Sequence, residues 1–267
     1  MPAHTVAADL IDLIETRLGP VLAPRIRAVH LPPMPWTGAK DGEFGAVELD
    51  SGALGLSYVL LDDTLAALAG VDGQALVGSD ALALARRWRD GAGAERTLGF
   101  AAVNALSRHL FDRDGRVPPD ATDSIGGLDP QPGEQIGMVG FFPPLVKPVT
   151  EHGARLTVVE LRADLAGSHP GFEVTLDPAA LQTCDKVLMT STVLLNDTLD
   201  TVLAHCRRAK AVVMIGPGAG CLPEPLFERG VTALGGTWIE DRTAFIAALH
   251  SGAPWGRFAR KTIWRRA

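Results

Sequence analysis

The strongest constraint on this chain is an alternation that begins near residue 135. Short, continuous apolar runs at 135–139, 155–160, 186–189, 211–215 and 232–234 are separated by stretches of helical character at 145–152, 178–181, 199–208 and 226–229. A half-exposed strand alternates apolar and polar residues, whereas an unbroken run such as AVVMI is apolar on both faces and must be covered on both. Units of strand, helix and strand joined in this way make a parallel sheet between helical layers, so a doubly wound α/β sheet is expected.

The first 110 residues follow a different rule. Val6, Leu10, Leu13, Ile14 and Leu18 recur at helical spacing, and Gly19-Pro20 ends that helix. A strand is expected at 26–31, followed by the loop Pro32-Pro33-Met34-Pro35-Trp36. The apolar runs 45–49 and 55–60 flank Asp50-Ser51-Gly52, a turn sequence for a hairpin. Helical stretches at 63–68, 79–89 and 97–110 complete a small α+β pattern. Residues 112–135 are rich in Asp, Gly and Pro and mark a linker. The expected organisation is an α+β domain over 1–115, a linker over 116–134 and an α/β domain over 135–267.

Composition narrows the function classes. With 46% apolar and 21% charged residues the chain is globular rather than disordered, and a net charge of -6 argues against a general nucleic-acid binder. Arg257, Arg260, Lys261, Arg265 and Arg266 near the end are expected to form a solvated tail. Cys184, Cys206 and Cys221 are odd in number and widely spaced, which gives no disulfide framework or structural zinc motif. No run reaches the roughly 18 apolar residues needed to span a bilayer. A cytoplasmic protein with no membrane partner is expected, with a small molecule as its ligand; a homodimer is compatible with this size. His152, His169, His205 and His250 are scattered, with no HExxH or HxH pairing, so a protein-only metal cage is not expected, and without a GxSxG elbow a Ser-His-Asp triad is not indicated either.

Ligands of open parallel sheets bind beyond the carboxyl ends of the strands, which selects four loops. The first is Gly140-Phe141-Phe142-Pro143-Pro144. A dinucleotide site needs GxGxxG there, and two rings and two prolines disfavour it; the rings either stack on a planar ligand or plug the core. The second is Glu160, twenty residues after Gly140. That offset is where an acid holds a ribose in dinucleotide-binding sheets, and a plain surface acid is the alternative. The third runs from Thr190 through Ser191 and Thr192 to Asn196-Asp197-Thr198. Its hydroxyls and helix start suit an anion, while Asn196 or Asp197 also suits a helix cap. The fourth is Gly216-Pro217-Gly218-Ala219-Gly220-Cys221, permissive for close backbone approach but without the lysine and hydroxyl of a P-loop.

These loops in this order resemble a family described as putative heavy-metal chelation proteins. The resemblance rests on VGFFP (139–143), TSTVLLNDTL (190–199), MIGP (214–217), PEPLFERGVTALGG (223–236) and Trp238-Ile239-Glu240-Asp241. LGFAAVNALS (98–107) is similar to a helix of the companion domain. The resemblance implies a Rossmann-like C-terminal domain, an enolase N-terminal-like partner and a ligand cleft between them, with Asn104 facing that cleft. Where the family commonly carries a hydroxyl after Gly-Pro, this chain has Gly218, so any hydroxyl contact there is missing.

Two readings follow. In one, the chain is a small-molecule-binding protein that handles a heavy metal or a metal chelate. In the other, it is an enzyme acting on a small anionic substrate with a nucleoside-containing cofactor: Glu160 would hold a ribose, Phe141 and Phe142 a ring, and 191–196 the anionic end.

Overall fold

The structure, a computed structural model, describes residues 5–20, 23–34 and 43–267; Pro35 and Trp36 of the proline-rich loop lie outside the described residues. It is mixed α/β, with one large, mostly parallel sheet and a smaller α+β part. Two compact units divide the chain: Met1–Pro118 with Pro217–Pro225 and Gly236–Thr262, and Pro119–Gly216 with Leu226–Gly235 and Ile263–Ala267. Among the described residues no helix is long and apolar enough to cross a membrane.

The first unit begins with α1 (Val6–Leu18), whose amide at Ala8 is capped by Thr5 Oγ1 at 3.2 Å and whose apolar stripe is buried. Strands β1 (Ile26–His30), β2 (Phe44–Leu49) and β3 (Leu54–Tyr58) pair antiparallel in that order, joined through the expected hairpin. The helices α2 (Thr64–Ala69), α3 (Gly73–Leu76), α4 (Ala81–Asp90) and α5 (Gly93–Arg113) follow. From Thr97 to Ser107 every residue of α5 is buried, so this helix is central and shows no amphipathic stripe. Glycine makes its packing feasible. A Cβ at Gly55 would overlap backbone atoms of Ala101 and Ala105, and one at Gly99 would overlap the backbone of α4 at Trp88. Helix α9 (Arg242–Ser251) adds Phe245 and Leu249 to Leu54, Leu56 and Trp255 in a second apolar cluster.

The second unit is built on β4 (Gln135–Val139), α6 (Pro143–Thr150), β5 (Arg155–Val159), β6 (Gly167–His169), β7 (Phe172–Thr175), β8 (Lys186–Thr190), α7 (Leu199–His205) and β9 (Ala211–Ile215). After α8 (Glu224–Glu228), strands β10 (Ala233–Ile239) and β11 (Ala259–Arg265) complete an eight-stranded sheet of order β11-β10-β9-β8-β4-β5-β7-β6. The pairs from β10 to β7 are parallel, and β6 is antiparallel to β7. Its core joins Ile136, Met138, Leu156, Val158, Leu188 and Val213.

Three expectations change. Residues 119–134 are not a free linker, because Ile125 and Leu128 are buried in the second unit's core. The basic C-terminus is not a solvated tail but strand β11, with Thr262 and Ile263 buried. The segment 178–181 forms a 3-10 turn, Pro178–Thr183, instead of an α-helix. Strands β6 and β7 carry too few apolar residues to have stood out in the sequence.

Candidate functional site

The strand order reverses at β4. From β4 the chain steps outward through β5 to β7, then returns to the other side of β4 for β8, β9 and β10. The carboxyl ends of β4 and β8 therefore lie side by side at the topological switch point, the place where open α/β sheets form a crevice. Gly140 closes β4 with φ +83, and a Cβ there would stand 3.0 Å from Thr190 Cγ2. Thr190 Oγ1 accepts the Thr192 amide at 3.2 Å and lies 3.0 Å from Thr192 Oγ1, so the hydroxyl loop after β8 starts as a tight turn. Ser191 is buried, and Gly216, at φ +143, leaves no room for a side chain above it: a Cβ would sit 2.5 Å from Ser191 Oγ. Gly140, Ser191, Thr192 and Gly216 are thus gathered at one edge of one sheet. Asn196 lies further along that loop and turns inward, its Oδ1 accepting the Thr198 hydroxyl at 2.7 Å and the Thr198 amide at 3.3 Å.

Glu160 sits at the end of β5, beside the Gly140 loop. Its Oε1 accepts the Phe141 N–H at 2.7 Å, and its Oε2 accepts the Leu161 N–H at 2.9 Å. The carboxylate expected on a ribose binds its own loops. Phe141 and Phe142 are half-buried against the core cluster, and Phe141 lies 5.4 Å from the Phe172 ring, which in turn stacks on His169 at 4.9 Å. Sequence reading did not find Phe172, and listed His169 only as a scattered histidine, because their strands are short and weakly apolar. Pro143 and Pro144 occupy the first turn of α6 and have no N–H, so that helix start offers few donors to a phosphate.

In the first unit, Asn104 is buried on α5 and donates from Nδ2 to Leu56 O at 2.7 Å and to Gly218 O at 3.0 Å. Two carbonyl partners fix the amide's orientation and leave Oδ1 buried with no hydrogen-bond partner. Three residues along α5, the Ser107 hydroxyl accepts the Leu222 amide at 3.2 Å. Asn104 and Ser107 therefore hold the 217–222 loop onto the helix, with Gly220 against the Asn104 amide. Ser107 was not singled out in the sequence, although its i+3 spacing from Asn104 places the two on one helix face.

A family model described as "Putative heavy-metal chelation" matches residues 123–266, and a second model of the same description matches 43–107. The chain belongs to this family. Two solved structures of proteins of unknown function from the heavy-metal chelation family share its fold. One, from Pyrococcus horikoshii, aligns at a TM-score of 0.72 and 20% identity over 98% of this chain and 100% of that one. The other, from Desulfitobacterium hafniense, aligns at 0.67 and 18% identity over 96% and 98%. The uncharacterized protein MJ0500 of Methanocaldococcus jannaschii is 33% identical over 157 residues. That alignment covers 55% of this chain and 56% of the relative, so the chain spans about half of that protein's length.

For a family so described, the donor set is the direct test. Burial pushes the thiols up, Cys184 to about 11 and Cys206 and Cys221 to about 12, so none offers a thiolate near neutral pH. Among the described residues no group of three or more His, Cys, Asp or Glu converges as a metal cage. The described residues do not fit a closed, protein-only chelation site. One convergent pair does occur, in the first unit: His30 Nδ1 lies 3.1 Å from His250 Nε2, with Glu48 on the far side of His30.

Proposed function

We propose that this protein binds a small polar molecule bearing hydroxyl or anionic groups, and that a heavy metal handled at this site arrives inside an organic chelator. The observation that carries the reading is the switch point, where Gly140 and the Thr190–Thr192 hydroxyls end neighbouring strands. Capping of the turn accounts for Thr190, whose Oγ1 accepts the Thr192 amide, and does not account for Ser191 or for two positive-φ glycines at the same place. Ser191 and Thr192 would donate to the ligand's oxygens, Gly140 and Gly216 would let its atoms approach the backbone, and Asn196 would shape the loop. The reversal of strand order supports a Rossmann-like description of this unit.

In the first unit, the orphaned Oδ1 of Asn104 is a second candidate contact, with Pro217 and Gly218 in the loop that it holds. A buried acceptor without a partner costs about 1–3 kcal/mol, which a ligand donor or an ordered water would recover. A nucleoside-containing cofactor has less support, since Glu160 binds the Phe141 and Leu161 amides and Pro143-Pro144 remove donors from α6.

A thermal-shift screen of the full chain tests the reading, with metal ions, metal chelates, small hydroxy acids, S-adenosylmethionine, NAD and nucleotides as probes. A ligand that binds only the folded state raises its apparent stability by mass action. A chelate or hydroxy acid is expected to raise Tm in the wild type and to lose that shift in Ser191→Ala and Thr192→Val. No shift from either class, or an equal shift in both variants, overturns it.

A further inference from the structure

The first unit carries a chain of polar groups apart from the switch point: Glu48, His30 and His250. Glu48 pairs with Ala28 across the β1–β2 ladder and His30 pairs with Ala46, so the two side chains are diagonal neighbours on one face. Both are buried. Glu48 Oε2 lies 2.9 Å from His30 Nε2, while its Oε1 takes Arg242 at 3.1 Å and Arg27 at 3.8 Å. A carboxylate only accepts, so His30 carries its proton on Nε2 and turns the Nδ1 lone pair outward. That lone pair meets Nε2 of His250, an exposed residue on α9, at 3.1 Å with ring centroids 5.1 Å apart.

We propose that His30 Nδ1 and His250 Nε2 form a two-imidazole seat for a borderline divalent transition metal of the zinc class. Three features support it. Metal–imidazole bonds of about 2.0–2.1 Å place two nitrogens on one ion roughly 3 Å apart. Glu48 is the outer carboxylate that fixes the tautomer and orientation of a ligating histidine. The exposure of His250 gives the ion access and leaves its other positions to water or a small chelating ligand. Imidazoles, with the thiols protonated, select zinc, nickel or copper over softer ions. Without metal, His250 Nε2–H donates to His30 Nδ1. On binding, that proton leaves for solvent and Nδ1 of His250 takes one up, so the ion replaces a shared proton with both rings neutral. This seat does not rest on the switch-point reading.

The test is equilibrium dialysis of the full chain against zinc chloride near neutral pH, followed by elemental analysis. One zinc per chain is expected. His250→Ala, at an exposed position, weakens binding at least tenfold with an unchanged circular dichroism spectrum. Glu48→Gln weakens it by about ten- to a hundredfold. No zinc bound by the wild type, or equal binding by wild type and His250→Ala, overturns the proposal.

Discussion

The Phe141 amide donates to Glu160 Oε1 at 2.7 Å, which ties the loop after β4 to the end of β5. Glu160→Ala removes the acceptor for this amide and for that of Leu161. A loss of roughly 1–2 kcal/mol is expected, the scale of one or two net hydrogen bonds. Hydrogen exchange at Phe141 and Leu161 should accelerate, and a urea titration reads the stability. Unchanged exchange at both amides would mean that the carboxylate does not hold this loop.

Gly216 combines a backbone conformation that side chains rarely adopt with a Cβ position 2.5 Å from Ser191 Oγ. Gly216→Ala is therefore expected to destabilise the fold by about 1–3 kcal/mol. Adding Ser191→Gly should recover part of the loss, because it clears the steric clash and leaves the backbone strain. The denaturation midpoints of the single and double variants separate the two contributions.

Gly55 presents the harder case, since the atoms its Cβ would overlap are backbone atoms of α5. Helix backbone cannot shift by a few tenths of an ångström at one residue alone. Gly55→Ala is expected to cost at least about 3 kcal/mol, at or above the upper end of overpacking. Gly70→Ala, with its nearest neighbour atom at 3.5 Å, serves as the mild control. Equal midpoints for the two variants would refute the close approach of β3 to α5.

Cys221 has its thiol pushed by burial from 9.0 up to about 12. Between those values the folded chain keeps a proton that the unfolded chain has released. The unfolded state then binds fewer protons, so stability falls as pH rises from about 9 towards 12. Cys184 and Cys206 shift in the same direction and add to the slope. Urea midpoints across that range should decline, and more gently in Cys221→Ala. A thiol reagent at mildly alkaline pH should label none of the three cysteines until denaturant is added.

Much of the second unit was legible because its strands announce themselves locally. The runs at 135–139 and 211–215 coincide with β4 and β9. Continuous burial on both faces leaves few alternatives to a parallel strand. β6 and β7 were not legible: Gly167–His169 is a three-residue edge strand, and Phe172–Thr175, between it and β5, is only four residues long with one buried apolar side chain, Val174. For the candidate site, Gly140, Ser191, Thr192 and Gly216 could be placed at strand ends from the alternation alone. That Glu160 would turn back onto Phe141 could not, because the geometry depends on how two loops from adjacent strands meet.

The sequence by itself determined where the five central parallel strands and the N-terminal helices and hairpin lie, and which end of the parallel sheet bears glycines and hydroxyls. Those features are written in the spacing of residues close along the chain, where apolar periodicity and turn chemistry act. Only the tertiary structure decided that residues 217–225 and 236–262 pack with the N-terminal part, and that the basic C-terminus pairs as a strand. It alone brought His250 to His30 across 220 positions of sequence. Such partners are selected by burial and by hydrogen bonds that form only once the chain has closed on itself, and local spacing carries no trace of them.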